Sequence, residues 1–335
     1  MIRYILRRIL LLVPVLVGLS VLVFCIARLL PGDPVRLAAG PNATAADIAS
    51  VAKEFGLDRP FVVQYWDYAT GLLRGDWGVS IFTRRPVAED LAVYLPATLE
   101  LVLAAMILAV GLGIPAGLLA AVYRNRWPDF LSRTVSLGAI SMPRFFLGLV
   151  FQLAFAMWLG WLPLSGRFPL TEDPPPTITG FLTIDALASG NLHAFGVALQ
   201  YLALPAIAMS LSPLATIMRM MRASTIEVLG QDYVTTERAL GLPGRQILFK
   251  YVLKNAVSAT LTVIGLYFGW LLGGTVLVET VFDWPGIGLY ATQAVLSQDF
   301  MPIIGVTLCI GALFITVNLI VDLLYGLLNP RVRLG

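Results

Sequence analysis

Histidine, cysteine and charged residues are all scarce in this 335-residue chain, and each shortage excludes a class of function. The one histidine, His193, leaves no histidine-rich metal site, no HExxH motif and no histidine-based catalytic triad. Cys25 and Cys309 both fall inside apolar runs, which argues against a disulfide framework. No GxxxxGK motif followed by Ser or Thr occurs, and no GxGxxG follows a strand pattern. Any nucleotide that this protein uses is therefore bound by another chain.

Charged residues make up 13% of the chain and hydrophobic residues 58%. Soluble domains average about 25% charged and about 45–50% apolar residues. The net charge of +3 is uninformative by itself, because the placement of Lys and Arg around membrane spans matters more than their sum. This composition predicts an all-α, polytopic membrane protein.

Long hydrophobic runs account for much of the sequence. A helix needs about 20 apolar residues to span the hydrocarbon core of a bilayer. Basic residues precede the first run as they precede a signal peptide, but the run is too long and no small-residue cleavage site follows it. We expect it to be retained as a span. Six stretches are long enough to cross the membrane: 9–30, 97–122, 134–162, 197–218, 256–278 and 302–328.

The distribution of Lys and Arg predicts the orientation of these six spans. With both termini inside, 14 of the 23 basic residues lie on the inner side, in the two terminal segments and the loops 123–133 and 219–255. Across the two later outer loops, Arg167 is the only basic residue. The first outer loop, about 31–95, holds six basic and eight acidic residues, but loops of this length cross largely regardless of charge. We therefore predict an N-in, C-in topology.

The chain divides into an N-terminal segment with the first span, a small helical extracytoplasmic region, a five-helix core and a cytoplasmic tail. The helical region begins with a capped amphipathic pattern from Thr44 that stops at Gly56, and a second helical pattern follows Pro60. The stretch 163–195 is predicted to be irregular. The boundaries that we predict for the four parts are 1–30, 31–95, 96–328 and 329–335.

One polar segment, DYVTTERALGLPGRQILFK at 232–250, interrupts the apolar second half of the chain and lies in the inner loop 219–255. Its pattern predicts two short helices separated near Gly241–Gly244. Asp232 suits the N-terminus of the first helix, where an acid interacts favourably with the helix dipole, and Gly241 suits its end. The residues alone leave two interpretations equally open: a solvated basic loop, or a short helix that docks onto a partner protein.

The same segment carries a family resemblance. The order Tyr233-x-x-Thr236-x-Arg238-Ala239-x-Gly241, followed by LKNA at 253–256, resembles the cytoplasmic EAA-type loop of ABC importer permeases. Each motif alone is weakly specific, but their order and spacing together are strongly specific and point to the first, B-type permease of the peptide/nickel branch. Further motifs of this family occur in order along nearly the whole chain: LPGDP at 30–34, GDWGVS at 75–80, RNRWPD at 124–129, VETVFDWPGIG at 278–288 and LLNPRVR at 327–333.

This resemblance implies a type I ABC importer fold in the bacterial plasma (inner) membrane, in a chain that is not itself an enzyme. It implies four kinds of partner: a second permease subunit, two cytosolic ATPase subunits (or one fused ATPase) that use ATP and Mg, an extracytoplasmic solute-binding protein, and membrane lipid. It implies neither a cofactor on this chain nor nucleic acid. The residues that it implies for coupling to the ATPase are Asp232, Tyr233, Thr236, Glu237, Arg238, Ala239, Leu240 and Gly241.

The sequence departs from the family pattern where the family's Glu-Ala-Ala positions fall, which is on Thr235, Thr236 and Glu237. This departure concerns the details of the contact with the ATPase rather than the docking role. The resembling branch transports dipeptides, oligopeptides, glutathione or nickel. We expect di- or oligopeptides first.

Three polar residues within or near the spans are candidates for the transport pathway or its gate. Arg144 lies eleven residues past Arg133, so it would sit about 16 Å into the third span. It could meet a carboxylate of the substrate, pair with a structural partner, or mark an earlier end of the span. Glu279 belongs to the VETVFDWPGIG motif, which fits either an outer gate or a structural turn. Asn318 in the last span could face an interior or the inner mouth.

Two other classes of function compete with an ABC permease. An ion-coupled secondary transporter would have inverted repeats, or acids and histidines buried in its spans, and the sequence shows few such groups. It would also leave the polar inner segment unexplained. An intramembrane enzyme would need a paired catalytic set, which the sequence lacks.

Overall fold

The computed structural model describes residues 2–29, 43–54 and 59–328, and the regular structure in these ranges is helical. Within them no β-strand occurs, and one isolated β-bridge joins Val79 to Pro86. This confirms the predicted all-α class. The helices, numbered here in chain order, are α1 (Ile2–Leu29), α2 (Ala45–Glu54), α3 (Phe61–Leu73), α4 (Val87–Val122), α5 (Trp127–Ser141), α6 (Arg144–Trp158), α7 (Leu182–Ala188), α8 (Leu192–Leu229), α9 (Asp232–Ala239), α10 (Gly244–Gly274), α11 (Val276–Phe282), α12 (Ile287–Leu296) and α13 (Phe300–Leu328).

Four helices in the described ranges are long and apolar enough to cross a membrane: α4, α8, α10 and the Phe300–Val321 part of α13. Helices α5 and α6 together pass the same test as one bent span. The described residues therefore contain four or five spans, at the positions of five of the six predicted ones. Helix α1 adds a shorter apolar stretch, Val13–Cys25, at the position of the first predicted span.

The prediction of the third span, 134–162, as a single helix is wrong. Its residues belong to α5 and α6, which meet at a bend of 102°. Pro143 causes the break, because proline has no N–H to donate and disfavours the helical conformation of the residue before it. Met142 accordingly adopts an extended conformation, with φ −107° and ψ 135°.

The predicted inner loop, 219–255, contains more helix than expected. α8 continues to Leu229 and α10 begins at Gly244, so only 230–231 and 240–243 lie outside helices in this segment. Backbone hydrogen bonds carry a helix beyond the apolar stretch that crosses the membrane, so hydropathy underestimates the length of these helices. The expected break between two helices inside the segment is confirmed.

The helical region that follows α1 contains α2 and α3, as the sequence predicted. α3 lies against α1 through aromatic contacts. The ring of Phe24 on α1 lies 5.2 to 5.5 Å from the rings of Phe61, Tyr65 and Tyr68 on α3. Phe24 is only 2% exposed as a result. The stretch 163–195, predicted to be irregular, contains the short helix α7.

The core of the bundle lies between α4 and α8, which pack against each other along much of their lengths. Small residues allow this close approach, as is common for helix pairs in membranes. At Gly117 of α4, an added Cβ atom would lie 2.5 Å from the carbonyl oxygen of Met218 and 2.8 Å from the Cβ of Met221. The backbones of the two helices therefore meet too closely for any side chain at this position.

A second close contact joins α10 to α13. Gly265 and Gly269 of α10 leave the space that the side chains of Val321 and Phe314 occupy. A Cβ atom at Gly269 would lie 2.7 Å from the Phe314 ring. Because lipid provides no hydrophobic driving force between helices, this close van der Waals packing is a main source of their association.

The packing of α4 on α8 predicts that two glycine-to-valine substitutions in α4 differ in their effect on stability. Gly117→Val is expected to destabilise the protein by about 1–3 kcal/mol, because the added atoms would overlap the backbone of α8. Gly111→Val is the matched control, since a Cβ atom there meets nothing within 4 Å. Thermal unfolding of the detergent-solubilised protein would measure both. Equal midpoints for the two variants would contradict the close approach.

Candidate coupling surface and pathway residues

The short helix α9 is held against α10 by one buried side chain. Val234 is fully buried and packs in a cluster with Ile247 and Val252 of α10. Only Gly230 and Gln231 separate α9 from the end of α8. α9 is thus fixed to two long helices at once, so it cannot shift without displacing at least one of them.

The predicted coupling residues lie together on α9 and the turn after it, and most of them are exposed. Leu240 is 73% exposed and Tyr233 is 39% exposed, which leaves apolar surface uncovered. The hydroxyl of Tyr233 accepts a hydrogen bond from the side-chain amide of Asn255 at 2.9 Å, which positions the ring. Glu237 is half-buried. The remaining predicted coupling residues are exposed: Asp232, Thr236, Arg238, Ala239 and Gly241.

Helix α9 ends in a Schellman motif, a turn that favours glycine. Gly241 has a φ of +78°, in the left-handed region where a side chain would be strained. Its N–H donates to the carbonyl of Arg238 at 3.0 Å, and the N–H of Leu242 donates to the carbonyl of Glu237 at 3.3 Å. Leu242 then packs on the cluster around Val234. The turn therefore fixes the direction in which the chain returns to α10.

A pocket of about 540 Å³ opens beside α9. Its lining combines apolar side chains from the ends of α4 and α8 and the start of α10 with two cationic residues, Arg238 and Arg245. Both arginines are exposed. Cationic and apolar groups side by side suit an acidic or amphipathic segment of a partner protein.

A buried carboxylate ties α5 to α8 near the same end of the bundle. Asp129 is 1% exposed and accepts paired hydrogen bonds from Arg222 (2.6 and 2.9 Å) and from Arg133 (3.0 and 2.7 Å). The N–H of Asn125 donates another at 2.9 Å. Bidentate bonds between guanidinium and carboxylate are among the stronger polar contacts in proteins. This cluster was not predicted from the sequence, although a lone acid in the basic stretch RNRWPDFLSR was a signal for it.

At the other end of the bundle, Glu279 is fully buried between α11 and α12. One carboxylate oxygen accepts a hydrogen bond from the hydroxyl of Thr98 at 2.7 Å. The other accepts from the backbone N–H groups of Gly288 and Leu289 at 2.7 and 3.0 Å. The hydroxyl of Thr98 in turn accepts from the N–H of Ile287 at 2.8 Å. A carboxylate at the first turn of α12 interacts favourably with the helix dipole, so each of these contacts stabilises the turn.

A second buried acid joins α4 to the segment that follows α6. Glu100 accepts hydrogen bonds from the guanidinium of Arg167, and from the N–H and hydroxyl of Thr183 at 2.7 and 2.6 Å. The guanidinium of Arg167 also donates to the carbonyl of Gly180 at 2.7 Å and lies 5.7 Å from the centre of the Trp284 ring. From the sequence, Arg167 stands out only as a lone outer base, and its partner is not predictable.

A third acid, Asp185 on α7, organises the same segment. Its carboxylate accepts hydrogen bonds from the N–H and hydroxyl of Thr179, both at 2.7 Å, and from the N–H of Gly180 at 3.0 Å. Burial raises the pKa of the Asp185 carboxyl, but these hydrogen bonds outweigh burial and bring the pKa below its ordinary value. Asp185 therefore stays ionised and keeps its three donors at neutral pH.

Arg144 occupies the first position of α6, directly after Pro143, and is half-buried. Its Nη1 atom lies next to Gly274, where an added Cβ atom would be 3.0 Å away. The side chain of Tyr267 is close enough to interact with it electrostatically. The hydroxyl of Tyr267 is itself 2.9 Å from that of Thr216. Among the described residues, no carboxylate pairs with this guanidinium and no hydrogen bond reaches it.

The third predicted pathway residue, Asn318, is half-buried on α13. Within the ranges that the structure describes, no hydrogen bond or ion pair joins Arg144, Glu279 and Asn318. The structure therefore does not bring these three residues into one site.

The family described as binding-protein-dependent transport system inner membrane component matches residues 113–334. The chain belongs to this family. The corresponding N-terminal family of membrane components matches residues 1–102 of the permease. The permease is therefore a non-catalytic, inner-membrane subunit of an ABC importer, and the comparisons give no support to an ion-coupled secondary transporter.

Individual relatives cover nearly the whole permease. It is 44% identical, over 97% of its length, to the probable D,D-dipeptide transport system permease protein DdpB of Escherichia coli (strain K12), 95% of which is covered. It is 41% identical to the dipeptide permease protein DppB of Alkalihalophilus pseudofirmus, over 99% of this chain and 100% of that one. The glutathione permease protein GsiC of Escherichia coli (strain K12) is 39% identical, over 99% of each chain.

A solved structure shares the fold. A chain of the methionine ABC transporter MetNI, in an inward facing conformation, superposes with a TM-score of 0.52. The match covers 70% of the permease and 93% of that chain at 16% sequence identity. At this identity the likeness shows a common fold, which is that of an ABC importer permease.

The turn around Glu279 predicts a loss of stability when its carboxylate is removed. Glu279→Ala is expected to destabilise the permease by at least about 2 kcal/mol, because three buried donors lose their acceptor. Glu279→Gln keeps one acceptor oxygen and should lose less. Glu172→Ala, at an exposed acid of the same end of the bundle, is the control. Thermal unfolding in detergent would measure all three, and equal stability of the two alanine variants would rule out this role.

Proposed function

We propose that this permease is the first, B-type transmembrane subunit of an importer for short peptides, namely di- and oligopeptides and related peptides such as glutathione. One observation carries this proposal: near full-length similarity, at 39–44% identity, to permease proteins named for D,D-dipeptide, dipeptide, di/tripeptide and glutathione transport. Relatives with different cargo resemble this chain to a similar degree. The proposal is therefore confined to the peptide class.

In this assembly the permease crosses the membrane six times, with both termini inside. α1 is the first span and the bent pair α5–α6 is the third. The excess of basic residues at the termini and in the loops 123–133 and 219–255 supports this orientation. The parts 1–30, 31–95, 96–328 and 329–335 then serve as first span, outer helical region, core and inner tail.

The orientation determines on which side of the membrane each partner would act. A second permease subunit completes the translocation pathway. The solute-binding protein delivers cargo on the side of Glu279, and two cytosolic ATPase subunits, which bind ATP and Mg, act on the side of α9. Coupling between two sites needs an element whose position both sites influence. The placement of α9 supports this role, because Val234 fixes the helix to α10 while Leu240 and Tyr233 remain free for a partner.

The residues proposed for contact with the ATPase are those that α9 and its final turn present: Asp232, Tyr233, Thr236, Glu237, Arg238, Ala239, Leu240 and Gly241. Arg144, Glu279 and Asn318 are proposed for the pathway or its gate. For Glu279 the hydrogen bonds support a role in shaping the outer turn. A gate built on that turn would move as a unit with α11 and α12.

Crosslinking tests whether α9 docks onto an ATPase. In a background with Cys25 and Cys309 replaced by serine, a cysteine at Leu240 or Tyr233 is expected to crosslink to an ATPase subunit. A cysteine at Val234 is the control, because this position is 0% exposed and should give no product. Mass spectrometry of the products identifies the partner. The docking role is wrong if no foreign protein is captured, or if these cysteines react with a membrane-impermeant reagent added outside the cell.

The Schellman turn predicts that Gly241→Asp uncouples ATP hydrolysis from uptake. The subunit should remain inserted and assembled, while peptide uptake into proteoliposomes falls at least about tenfold and ATPase activity stays within about twofold. The reason is that a side chain at φ +78° strains the turn and places a charge on the docking surface. Gly230→Asp is the control, since φ there is −88°. Normal uptake by Gly241→Asp, or uptake by this chain without an ATPase, would contradict the proposal.

A further inference from the structure

Buried acids in the described ranges all have hydrogen-bond partners, whereas one half-buried cation has none. Asp129 and Glu100 pair with arginines, and Glu279 accepts three hydrogen bonds. Arg144 lies in the bent α5–α6 span without a hydrogen bond or an ion pair among the described residues. A charge at membrane depth is costly and usually faces a protein interior or an aqueous cavity. A partner for the Arg144 guanidinium therefore has to come from outside the described residues.

The local helix does not account for Arg144. It is the first residue of α6, where the helix dipole disfavours a cation, and the preceding Pro143 provides no side-chain cap. An arginine at this position opposes the stability of its own helix.

The break before Arg144 leaves backbone that other protein groups or water must satisfy. Ser141, Met142 and Pro143 are all exposed in this chain, and Met142 has extended backbone. Non-helical backbone at membrane depth is tolerated where it is buried in protein or lines a water-filled cavity. In transporters, helices broken at this depth direct their positive N-terminal ends toward anionic groups of the substrate.

There is open space beside the guanidinium. Gly274, where an added Cβ atom would lie 3.0 Å from Nη1, is exposed. The hydroxyl groups of Tyr267 and Thr216 add hydrogen-bonding capacity to the same region. A planar guanidinium with five donors matches a carboxylate in two parallel hydrogen bonds.

We propose that Arg144 binds a carboxylate of the transported solute as the solute passes the bend between α5 and α6. This inference rests on the proposed function and deepens it, because it restricts the cargo to solutes with a free carboxylate. Among the half-buried cations of the described ranges, Arg167 and Arg222 pair with carboxylates and Arg144 does not, so Arg144 is best matched to a ligand that binds transiently. A permanent ion pair with an acid of the second permease subunit is the competing arrangement.

The test compares uptake of alanyl-alanine and of its C-terminal amide by the complete importer in proteoliposomes. Arg144→Gln is expected to lower uptake of the free acid about tenfold to a hundredfold and to leave uptake of the amide within about twofold. Arg144→Lys keeps the charge and should recover part of the loss. Arg219→Gln, at an exposed arginine of α8, is the matched control. The same binding protein serves every variant, so its own preference cancels in the ratio between variant and wild type.

The outcomes separate this inference from the proposed function. Equal loss for the acid and the amide in Arg144→Gln points to a structural ion pair between permeases and overturns the inference, as does no loss for either. A peptide with an acidic side chain and an amidated C-terminus shows which carboxylate is bound. If the wild-type importer moves no peptide at all, the proposed function itself fails.

A second pair of variants keeps Arg144 in place, in case its replacement prevents assembly. Gly274→Ala brings a methyl group to 3.0 Å from Nη1 and displaces the guanidinium, whereas Gly273→Ala meets nothing. Gly274→Ala is expected to raise the KM for alanyl-alanine several-fold and to leave kcat unchanged. Identical KM values for the two variants would count against the inference.

Discussion

The absence of water from the membrane interior is the constraint on which this structure depends. A buried charge there is not solvated by water, so protein groups must satisfy it. Near the two ends of the bundle, the buried carboxylates of Asp129, Glu100 and Glu279 meet the same requirement, because burial in protein also removes water, and each bonds to residues of another segment. The same bonds that satisfy these carboxylates therefore also fasten the helices together. In this fold, the hydrogen bonds that satisfy buried charges also hold the helices in contact.

These buried contacts between helices give the bundle the rigidity that coupling requires. α8 runs unbroken from Leu192 to Leu229 and continues into α9 after two residues. Asp129 joins α8 to α5 through Arg222, and Val234 seats α9 on α10. A force on α9 is thus passed to three helices by contacts that cannot stretch far without leaving a buried charge or an apolar side chain exposed. Such an arrangement supports rigid-body rocking of the bundle rather than local bending.

The sequence predicted the features that depend on neighbouring residues and missed those that depend on distant ones. The glycine end at Gly241, the helix from Asp232 and four of the six apolar spans follow from local pattern, and the structure has them. Hydropathy summed over 134–162 could not detect the break at Pro143, because an apolar segment stays apolar whether or not its backbone is bent. The bond between Asp129 and Arg222 joins residues 93 positions apart, so a single sequence identifies neither partner from the other.

The break at Pro143 and the charge at Arg144 have a common physical basis. A continuous helix would bury its own backbone groups and could face lipid, whereas a bent one exposes polar backbone that only protein or water can satisfy. Once water reaches that point, an arginine beside it is no longer prohibitively costly. The bent backbone and the guanidinium thus share one requirement, which is a partner in protein or water. A charge that would be excluded from a straight span becomes available to a passing solute.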